Sequence, residues 1–446
     1  MKLFLALVKE DAEKGISLVG QFPSVDSKGR YLHWDAIRYK TPPEGYSIEQ
    51  WWAGIKWKRV SQYTKTPFSG KDGVVFNFAS PLIVKKDLHW LDINAAGSLT
   101  GEKELTNPQI KTTYIIRSLI NEAITSSQLE GATTTGDLAK EMIRTNRKPR
   151  DKSERMILNN YNVMKRIQGL VDQPLSPELI KELQRILTAD TMEDDAGAGN
   201  YRQSGDNIHV FDNRDGSILF TPPGAEELPE RMEALCDFAN KDESEALNEF
   251  IHPVIKGIIL HFMLAYNHPF KDGNGRTARA LFYWYMAKQG YWLMEYISIS
   301  EEIKKAPFKY GRAFLYTETD GNDLTYFIVH QLEVIRRAID SLHAYLDGRK
   351  KEFDITLNLL DRNPKLRSEL NYRQLGVLKH ALKNANHLYT IQEHVNIHGV
   401  AYETARKDLM DLSERFRLLD KRRKGHKFIF ISPPNLRARL EKRGGA

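Results

Sequence analysis

Cysteine is almost absent from this sequence, because Cys236 is the only one among 446 residues. A single cysteine excludes an intramolecular disulfide and any zinc site built from several cysteines. Its neighbours in the segment RMEALCDFAN are mostly apolar or helix-forming. This context predicts a buried helix position for Cys236 rather than a nucleophile.

Long hydrophobic runs are also missing, since no segment approaches the roughly 18 apolar residues of a membrane-spanning helix. The first residues, MKLFLALVKEDAEKG, reach Lys9-Glu10-Asp11 without a small-residue cleavage site. We therefore expect a cytoplasmic protein with no membrane contact. The apolar content of 41% is enough to build a core in each of two or three domains.

Several catalytic motifs do not occur in the chain. It has no HExxH zinc-protease motif, no GxxxxGK[ST] phosphate-binding loop and no GxSxG nucleophile elbow. Internal repeats and low-complexity segments are lacking as well. Any chemistry must therefore depend on a different arrangement of residues.

The first hundred residues are rich in Trp, Tyr and Pro and contain three stretches with strand-forming composition, YLHW, GVVFNF and LIVKKDLHWLDI. Turn signals separate these stretches. They predict a small α+β domain over residues 1–105, for which the sequence indicates no role.

From Asn107 onward the apolar residues follow helical spacing. The segment NPQIKTTYIIRSLINEAITSSQLEG has Asn107 as an N-cap and Gly131 at its end, which predicts a helix over 107–131. Further helices are predicted at ERMILNNYNVMKRIQGL, SPELIKELQRILTA, PERMEALCDFANK, IHPVIKGIILHFMLAY and TARALFYWYMAKQ, and in a long closing helix that begins at LTYFIVHQLEV. One interruption, NIHVFDNRDGSILFTPP, predicts a β-hairpin over 207–222.

The end of the chain has a different character. Three predicted helices are followed by DKRRKGHKFIFIS, a basic turn beside a strand, and this order is typical of a winged helix-turn-helix over residues 366–435. Residues 371–446 hold 16 Lys and Arg against 7 Asp and Glu, whereas the first 370 residues hold 49 against 51. The unit is therefore predicted either to bind DNA or to serve as a protein-docking or dimer-forming module. Its predicted contacts with DNA phosphates are Arg406, Lys407, Arg422, Arg423 and Lys424.

The stretch NHPFKDGNGRTAR, from Asn267 to Arg279, concentrates polar residues between two apolar helices. Pro269 disfavours a helical conformation for His268, so the imidazole is expected to project from a helix end. Two glycines around Asn274 let the backbone turn tightly just before the next helix. Such a loop binds anions, because unpaired N–H groups and the helix dipole both face it.

The charged residues of this stretch fit a polyphosphate. Arg276 and Arg279 share a face of the first helical turn, where two guanidinium groups would otherwise oppose the helix dipole. Asp272 suits a divalent cation shared with phosphates, and His268 can take a proton from an attacking hydroxyl. Together they indicate phosphoryl or nucleotidyl transfer to a hydroxyl. The simpler alternative, a helix–loop–helix corner with a capping aspartate, leaves the paired arginines and the histidine unexplained.

His268–Arg279 matches all eight specified positions of HxFx(D/E)GNGRxxR, and on this motif the chain resembles the Fic family. The resemblance spans roughly 107–340, with GNYR at 199–202 and a hairpin similar to the family's flap. It implies a mainly α fold with a helical Fic core over 106–345. The small α+β domain would precede this core, and the winged helix-turn-helix would follow it.

Fic proteins mostly transfer AMP from ATP to Ser, Thr or Tyr hydroxyls of proteins. The resemblance therefore implies a protein adenylyltransferase that uses ATP with Mg²⁺ or Mn²⁺ and modifies a target protein or itself. It implies His268 as general base, Phe270 beneath the loop and Asp272 as metal ligand. Nucleotide binding would fall to Gly273, Asn274, Gly275, Arg276, Arg279 and Tyr310. Target docking by strand addition would fall to Ile208, Val210, Leu219, Phe220 and Thr221.

A second family pattern precedes the motif. Ser126, Glu130 and Gly131 in TSSQLEG fit the inhibitory pattern (S/T)xxxE(G/N), although an ordinary solvated helix end would have similar residues. The resemblance implies that Glu130 pairs with Arg279, keeps this arginine from the γ-phosphate and inhibits the enzyme. The same carboxylate could orient a water molecule that removes AMP from a modified hydroxyl.

Two functions remain open at this stage. One is an AMP-transferring enzyme with accessory modules, and the other is a DNA-binding regulator whose Fic core senses a nucleotide. His268 and Asp272 favour the enzyme, because a sensor needs no base. The sequence identifies neither the target protein nor the oligomeric state, and a homodimer stays open.

Overall fold

The computed structural model describes residues 20–96, 108–192, 197–211, 216–241, 250–360, 364–424 and 427–442 of the chain. Parts of several predictions fall outside these ranges. They are both ends of the predicted α+β domain, the N-cap at Asn107, the turn of the 207–222 hairpin and the basic turn at 425–426. The side chain of Lys424, predicted to contact DNA, also lies outside the described part of the chain.

The structure is mainly helical, as the sequence predicts. The helices of the N-terminal region and of the central part are α1 (Trp34–Ile37), α2 (Ile48–Val60), α3 (Leu82–Leu91), α4 (Pro108–Leu129), α5 (Gly136–Thr145), α6 (Lys152–Ile167), α7 (Pro177–Thr188), α8 (Leu228–Asn240), α9 (Pro253–Asn267), α10 (Asn274–Lys288), α11 (Ile299–Lys305), α12 (Pro307–Thr319) and α13 (Thr325–Leu360). The C-terminal helices are α14 (Pro364–Glu369), α15 (Tyr372–Lys383), α16 (Ile391–His398), α17 (Tyr402–Met410) and α18 (Leu436–Lys442). Within the described ranges, no helix is both long and apolar enough to cross a membrane.

The strands form three small antiparallel sheets. The first pairs β1 with β2, the second pairs β3 with β4, and the third has the order β5-β7-β6. Their bounds are β1 (Thr64–Ser69), β2 (Val75–Phe78), β3 (Val210–Phe211), β4 (Ile218–Phe220), β5 (Leu388–Thr390), β6 (Asp420–Lys424) and β7 (Lys427–Ile431).

Helices α9 and α10 form the centre of the helical part and pack against each other. Nearly every side chain of both helices is buried, which agrees with their apolar sequences. Helices α6 and α7 cover one side of α10, and α4 packs against α6 and α11. Cys236 is buried and unpaired in α8, as predicted, and burial raises the pKa of its thiol to about 12.

The β1–β2 hairpin and α3 belong to the same hydrophobic core as α9 and α10. The ring of Phe76 meets Phe262 and Tyr266 edge to face, with centroids 5.6 and 5.0 Å apart. An isolated parallel bridge joins Asn77 to Asp323, just before α13. A separate, smaller core lies farther toward the N-terminus and contains Phe22, Ile37, Trp52, Ala53 and Ile55. The later part of the N-terminal region is therefore packed as one body with the helical part.

Two of the three N-terminal strand predictions are wrong. LIVKKDLHWLDI contains helix α3, because Val84, Leu88 and Leu91 have helical spacing and are buried together. The residues of YLHW precede or begin α1, whose first turn is capped by the side chain of His33. The third prediction is confirmed, since GVVFNF contains β2.

A carboxylate with three donors ties the N-terminal region to the start of α13. Asp323 is fully buried, and its Oδ2 accepts hydrogen bonds from the hydroxyls of Tyr31 and Tyr63, both at 2.7 Å. Its Oδ1 accepts the backbone N–H of Thr325 at 3.0 Å. Nearby, the guanidinium of Arg59 lies 3.6 Å from the centre of the Tyr31 ring. These contacts compensate a charge that would be costly to bury alone.

The C-terminal elements have a hydrophobic core of their own. This part of the chain contains helices α15, α16 and α17 and the three-stranded sheet. Gly399 adopts a left-handed conformation that lets the chain turn between α16 and α17. Helix α16 packs against α4 and α5 of the central part. There the side-chain amide of Asn396 donates to the carbonyl of Ile143 at 3.3 Å.

We expect Asp323→Ala to lower the free energy of unfolding by about 3 kcal/mol, because the hydroxyls of the buried Tyr31 and the half-buried Tyr63 lose their acceptor. Urea unfolding followed by tryptophan fluorescence measures this change. The control is Asp35→Ala, which removes an exposed carboxylate that pairs with Arg38. This substitution is expected to change the free energy of unfolding by less than about 0.5 kcal/mol. Equal effects of the two substitutions would contradict the role of Asp323.

Candidate active site

His268 ends helix α9 and lies at the mouth of the candidate site. Its backbone adopts a left-handed conformation, with φ 46° and ψ 56°, and its N–H closes the last helical turn on the carbonyl of Leu264 at 3.0 Å. The helix stops here because Pro269 disfavours the right-handed helical region for the preceding residue. The imidazole leaves the helix axis, and its Nδ1 lies 3.4 Å from the carbonyl of Ala265.

Asn274 holds the loop that follows in a closed shape. Its side chain accepts the N–H of Phe270 at 2.9 Å and donates to the carbonyl of the same residue at 2.7 Å. Phe270 is fully buried beneath the loop, with its ring near Tyr201. Gly273 has φ 83°, and a Cβ there would lie 2.9 Å from Cγ2 of Thr188, so glycine is needed both for the turn and for the close approach.

Helix α10 begins immediately after this turn, at Asn274. The first N–H groups of a helix have no partner within the helix, and the helix dipole adds positive potential at the same end. Gly275 exposes its backbone at this end without a side chain. The loop and the helix start therefore supply the groups that the predicted anion site requires.

Arg276 and Arg279 turn toward different neighbours, although they are three residues apart. Arg276 is fully buried and donates to the carbonyl of Leu187 at 2.8 Å and to Oδ1 of Asp272 at 3.1 Å. Its Nε is buried and has no hydrogen-bond partner among the described residues. Arg279 turns instead toward helix α4. Helical spacing places both arginines on one face of α10, but Arg276 contacts the end of α7 whereas Arg279 contacts α4.

Asp272 has the properties of a ligand for a divalent cation. Its Oδ1 accepts the N–H of Gly273 and the guanidinium of Arg276. No hydrogen bond to its Oδ2 occurs within the described residues, and the side chain is 40% exposed. One carboxylate oxygen beside an anion site fits Mg²⁺ or Mn²⁺, which use few protein ligands when phosphates supply the others.

Arg279 is held by the end of helix α4. Its Nε donates to Oγ of Ser126 at 2.9 Å, and its Nη2 donates to the carbonyl of Ser126 at 3.1 Å and to Oε1 of Glu130 at 2.8 Å. The arginine is 2% exposed and the glutamate 30%. The pair is thus largely withdrawn from solvent.

The carboxylate of Glu130 also lies against the anion site. If Gly275 carried a side chain, its Cβ would lie only 2.1 Å from Oε1 of Glu130, so the carboxylate occupies the space directly beside this glycine. Helix α4 ends just before Glu130, and Gly131 follows in a left-handed conformation with φ 94°. This turn directs the chain away from the site while the glutamate side chain points into it.

Tyr310 on α12 lies near Arg279 and contacts His261, a residue that the sequence did not indicate as part of the site. Its hydroxyl is 2.9 Å from Nε2 of His261. Burial and the positive charge of Arg279 lower the pKa of His261 to about 3, so its imidazole is neutral and can accept this hydrogen bond. Burial raises the pKa of Tyr310 to about 12, so its hydroxyl stays protonated. The spacing of His261, about two helical turns before His268, carries no signal for this contact.

Arg202 was also missed as a site residue, although GNYR was part of the resemblance. Its guanidinium donates to the carbonyls of His268, Asn267 and Pro223. Its backbone N–H donates to the carbonyl of Pro269 at 2.9 Å. One side chain therefore joins the histidine loop to the end of the hairpin, a contact between distant segments that no local pattern reveals.

The β3–β4 hairpin presents an exposed apolar edge near the site. Val210 pairs with Phe220, and Ile208 and Val210 are half-buried. Phe211, Ile218 and Leu219 are each more than half exposed. At the base of the hairpin, the Phe220 ring lies 5.1 Å from that of Tyr266, and Nζ of Lys71 donates to the carbonyl of Thr221 at 3.1 Å. The N-terminal region thus supports the hairpin.

The residues predicted to contact DNA lie on α17 and β6, in the C-terminal part of the chain. Arg406 and Lys407 are exposed on α17, and Arg406 pairs with Glu403 at 3.3 Å. Arg422 and Arg423 are exposed on β6, which also includes Lys424.

Burial lowers the pKa of His268 below its usual value of about 6.5. The carbonyl of Ala265 and the charge of Glu130 act in the opposite direction but do not cancel the effect of burial. The imidazole is therefore neutral near pH 7, the form that can accept a proton.

Residues 174–286 match the Fic/DOC family. The chain is 38% identical over 84 residues to a protein adenylyltransferase Fic from Nematostella vectensis, which is 19% of this chain and 17% of that protein. It is 40% identical over 72 residues to the protein adenylyltransferase fic-1 of Caenorhabditis elegans, covering 16% and 13% of the two chains. The chain thus matches less than a fifth of the length of these curated relatives.

The fold has a solved counterpart. A Fic family protein from Desulfovibrio desulfuricans G20 superposes with a TM-score of 0.50 over 82% of this chain and 98% of that one, at 16% identity. At this identity the likeness concerns the fold alone. It extends well beyond the segment that matches the family by sequence.

We predict that His268 titrates below pH 6.5 and that Glu130→Gly lowers its pKa further. Burial disfavours the charged imidazolium, and the substitution removes a negative charge that favours it. Carbon-detected NMR of ¹³C-labelled histidine measures both values, with His268→Ala assigning the resonance. A pKa at or above 6.5, or an upward shift in Glu130→Gly, would contradict this account of the site.

Proposed function

We propose, from the Fic domain that this chain carries, that the protein transfers AMP from ATP to a Ser, Thr or Tyr hydroxyl of a protein, its own hydroxyls included. The observation that carries the proposal is the joining of a neutral histidine, His268, to an anion site at the start of α10. A base and a phosphate site held in one closed loop are what transfer to a hydroxyl requires.

In this mechanism His268 accepts the proton of the target hydroxyl. The hydroxyl oxygen attacks the α-phosphorus of ATP, the bond from this phosphorus to the oxygen bridging to the β-phosphate breaks, and diphosphate leaves. The N–H groups at the start of α10 stabilise negative charge on the phosphates. Asp272 would hold Mg²⁺ or Mn²⁺, which neutralises phosphate charge when bound.

The arginines have separate parts in this proposal. Arg276, with its buried and unpartnered Nε, supports the β-phosphate side of the anion site. Arg279 would bind the γ-phosphate, and Tyr310, which lies beside Arg279, would contact the nucleotide. Planar guanidinium groups suit phosphate because they donate several hydrogen bonds at once.

The target would dock on the β3–β4 hairpin. The half-exposed edge with Phe211, Ile218 and Leu219 favours an extended segment that adds as a further strand. Main-chain hydrogen bonds would then bring a hydroxyl toward His268 with little demand on the target sequence. Arg202 supports this geometry, because it joins the hairpin to the histidine loop.

Glu130 inhibits the transfer in this proposal. Its carboxylate occupies Arg279 and lies against Gly275, at the place where the terminal phosphates would bind. ATP phosphates and the glutamate are both anions, so they compete for one guanidinium. The enzyme is therefore mostly inactive until α4 moves or Glu130 is removed.

Glu130→Gly is expected to raise self-AMPylation about ten- to a hundredfold, because one hydrogen bond to a charged group is worth about 1.5–3 kcal/mol. The measurement is incorporation of label from ATP labelled at the α-phosphate, with Mg²⁺ present. Adding His268→Ala to this variant is expected to abolish incorporation. The double variant also separates an enzyme from a nucleotide sensor, since a sensor binds ATP without incorporating label.

Equal incorporation by the wild type and Glu130→Gly would contradict inhibition by Glu130. Incorporation by the double variant would contradict the role of His268. Mass spectrometry should find a single AMP added per modified hydroxyl, and any other adduct would contradict the assigned reaction.

A second candidate function, binding to DNA, is supported by the exposed cations of the C-terminal unit. Arg406 and Lys407 on α17 and Arg422 on β6 are exposed, and these are the elements that the sequence predicts as a recognition helix and a wing. Phosphate contacts from such residues give affinity that depends strongly on salt. The competing use of the same surface is docking of a protein or of a second copy of the chain.

Arg406→Ala/Lys407→Ala is expected to weaken binding to duplex DNA about tenfold in a mobility shift at low salt. Binding by the wild type should fall steeply as salt rises. The matched control, Lys85→Ala/Lys86→Ala, removes two exposed charges from α3 and should leave binding unchanged. No retention of DNA by the wild type would favour the docking alternative.

A further inference from the structure

Helix α4 meets helix α10 through a series of polar contacts that continues beyond the inhibitory pair. Glu122, Ser126 and Glu130 are four residues apart in sequence, so they lie along one face at the end of α4. Ser126 and Glu130 contact Arg279, whereas Glu122 contacts Tyr283, one turn later on α10. The two helices therefore run in opposite directions along this face.

Glu122 is 1% exposed, and its carboxylate is surrounded by donors. Oε2 accepts hydrogen bonds from the hydroxyls of Tyr283 at 3.0 Å and Ser298 at 2.8 Å and from the N–H of Ser300 at 3.1 Å. Oε1 accepts the hydroxyl of Ser300. All of these donors are neutral, and the described residues supply no salt bridge to Glu122.

The donors belong to two elements that flank α4. Tyr283 is on α10, and its hydroxyl also accepts the N–H of Ile299 at 2.9 Å. Ser298 caps α11 by accepting the N–H of Glu301 at 3.2 Å. Glu122 thus joins α4 to α10 and to the start of α11 at one point.

A buried carboxylate with this many partners strongly specifies how α4 packs. Burying the charge is costly, and only the full set of hydrogen bonds compensates the cost. A shift of α4 by one residue would rotate its face by about 100° and withdraw the carboxylate from all of these donors. The hydrogen bonds of Glu122 therefore specify the rotation and position of α4 in addition to its apolar contacts.

We propose that Glu122 is a positioning residue that holds α4 at the place where Glu130 reaches Arg279. Two helical turns separate Glu122 from Glu130, and the helix between them transmits the position. The inference rests on the proposed inhibition by Glu130 and extends it. Glu122 makes no hydrogen bond to Arg279 among the described residues, and its charge acts on that guanidinium only through space. Its structural effect on the reaction therefore passes through the position of Glu130.

Glu122→Gln tests this proposal. An amide offers one acceptor oxygen and places an NH₂ group against hydroxyl and N–H donors, so α4 should loosen. Self-AMPylation is expected to rise roughly 5- to 20-fold over the wild type. In the Glu130→Gly background the same substitution should change the rate by less than about twofold, because no inhibitory glutamate remains to be positioned.

A second readout does not depend on activity. Hydrogen–deuterium exchange of the amides at 116–129 should be faster in Glu122→Gln than in the wild type. The matched control is Glu301→Gln, which removes an exposed carboxylate from α11 and should change neither the exchange nor the rate. Ser300→Ala removes a single donor and should give a smaller rise in self-AMPylation, which keeps the test decisive if Glu122→Gln fails to fold.

The outcomes separate the two proposals. No rise in either variant, with α4 exchanging as in the wild type, would overturn the positioning role. An equal loss of rate in both backgrounds would also overturn it, because a merely structural residue behaves in this way. If Glu130→Gly itself leaves the rate unchanged, the proposed inhibition fails, whereas the exchange of α4 still reports on Glu122.

Discussion

The burial of the Arg279 guanidinium is the constraint on which the site depends. This side chain is 2% exposed, and a charge so deeply buried needs an anionic partner. Glu130 supplies that partner at the end of α4, and Ser126 accepts two further hydrogen bonds from the guanidinium. A phosphate at the same place would have to replace the glutamate rather than join it. In the proposed function, competition between glutamate and phosphate for Arg279 would therefore connect the position of α4 to the chemistry of the loop.

Other contacts hold both the histidine loop and helix α4 in place. On the loop side, Asn274 closes the turn, and Arg202 joins it to the hairpin. On the helix side, α4 packs against α6 and α11, and α16 of the C-terminal unit packs against α4 and α5. The helix that carries Glu130 therefore lies between the central helices and the C-terminal unit. Its packing, and not only its last turn, determines where the carboxylate lies.

The N-terminal region shows where local patterns misled. The β-branched residues and aromatics of LIVKKDLHWLDI favour a strand by composition, but Val84, Leu88 and Leu91 form one helical stripe against the central core. Tertiary packing decided between the two, because only a helix buries all three together. The same packing joins β1 and β2 to α9, so the hairpin that carries Lys71 supports the flap instead of standing in a separate domain.

The sequence alone determined the mainly helical fold and the loop from His268 to Arg279, because proline, glycine and apolar spacing act on neighbouring residues. It also indicated Glu130 through a short pattern. Only the tertiary structure decided that Arg276 and Arg279 turn to different helices. It also decided that Arg202 contacts the histidine loop, that His261 contacts Tyr310 and that Glu122 contacts Tyr283. Their partners are distant in sequence. Hydrogen bonds between distant segments leave no periodic trace, and burial, which makes such contacts necessary, exists only once the chain is folded.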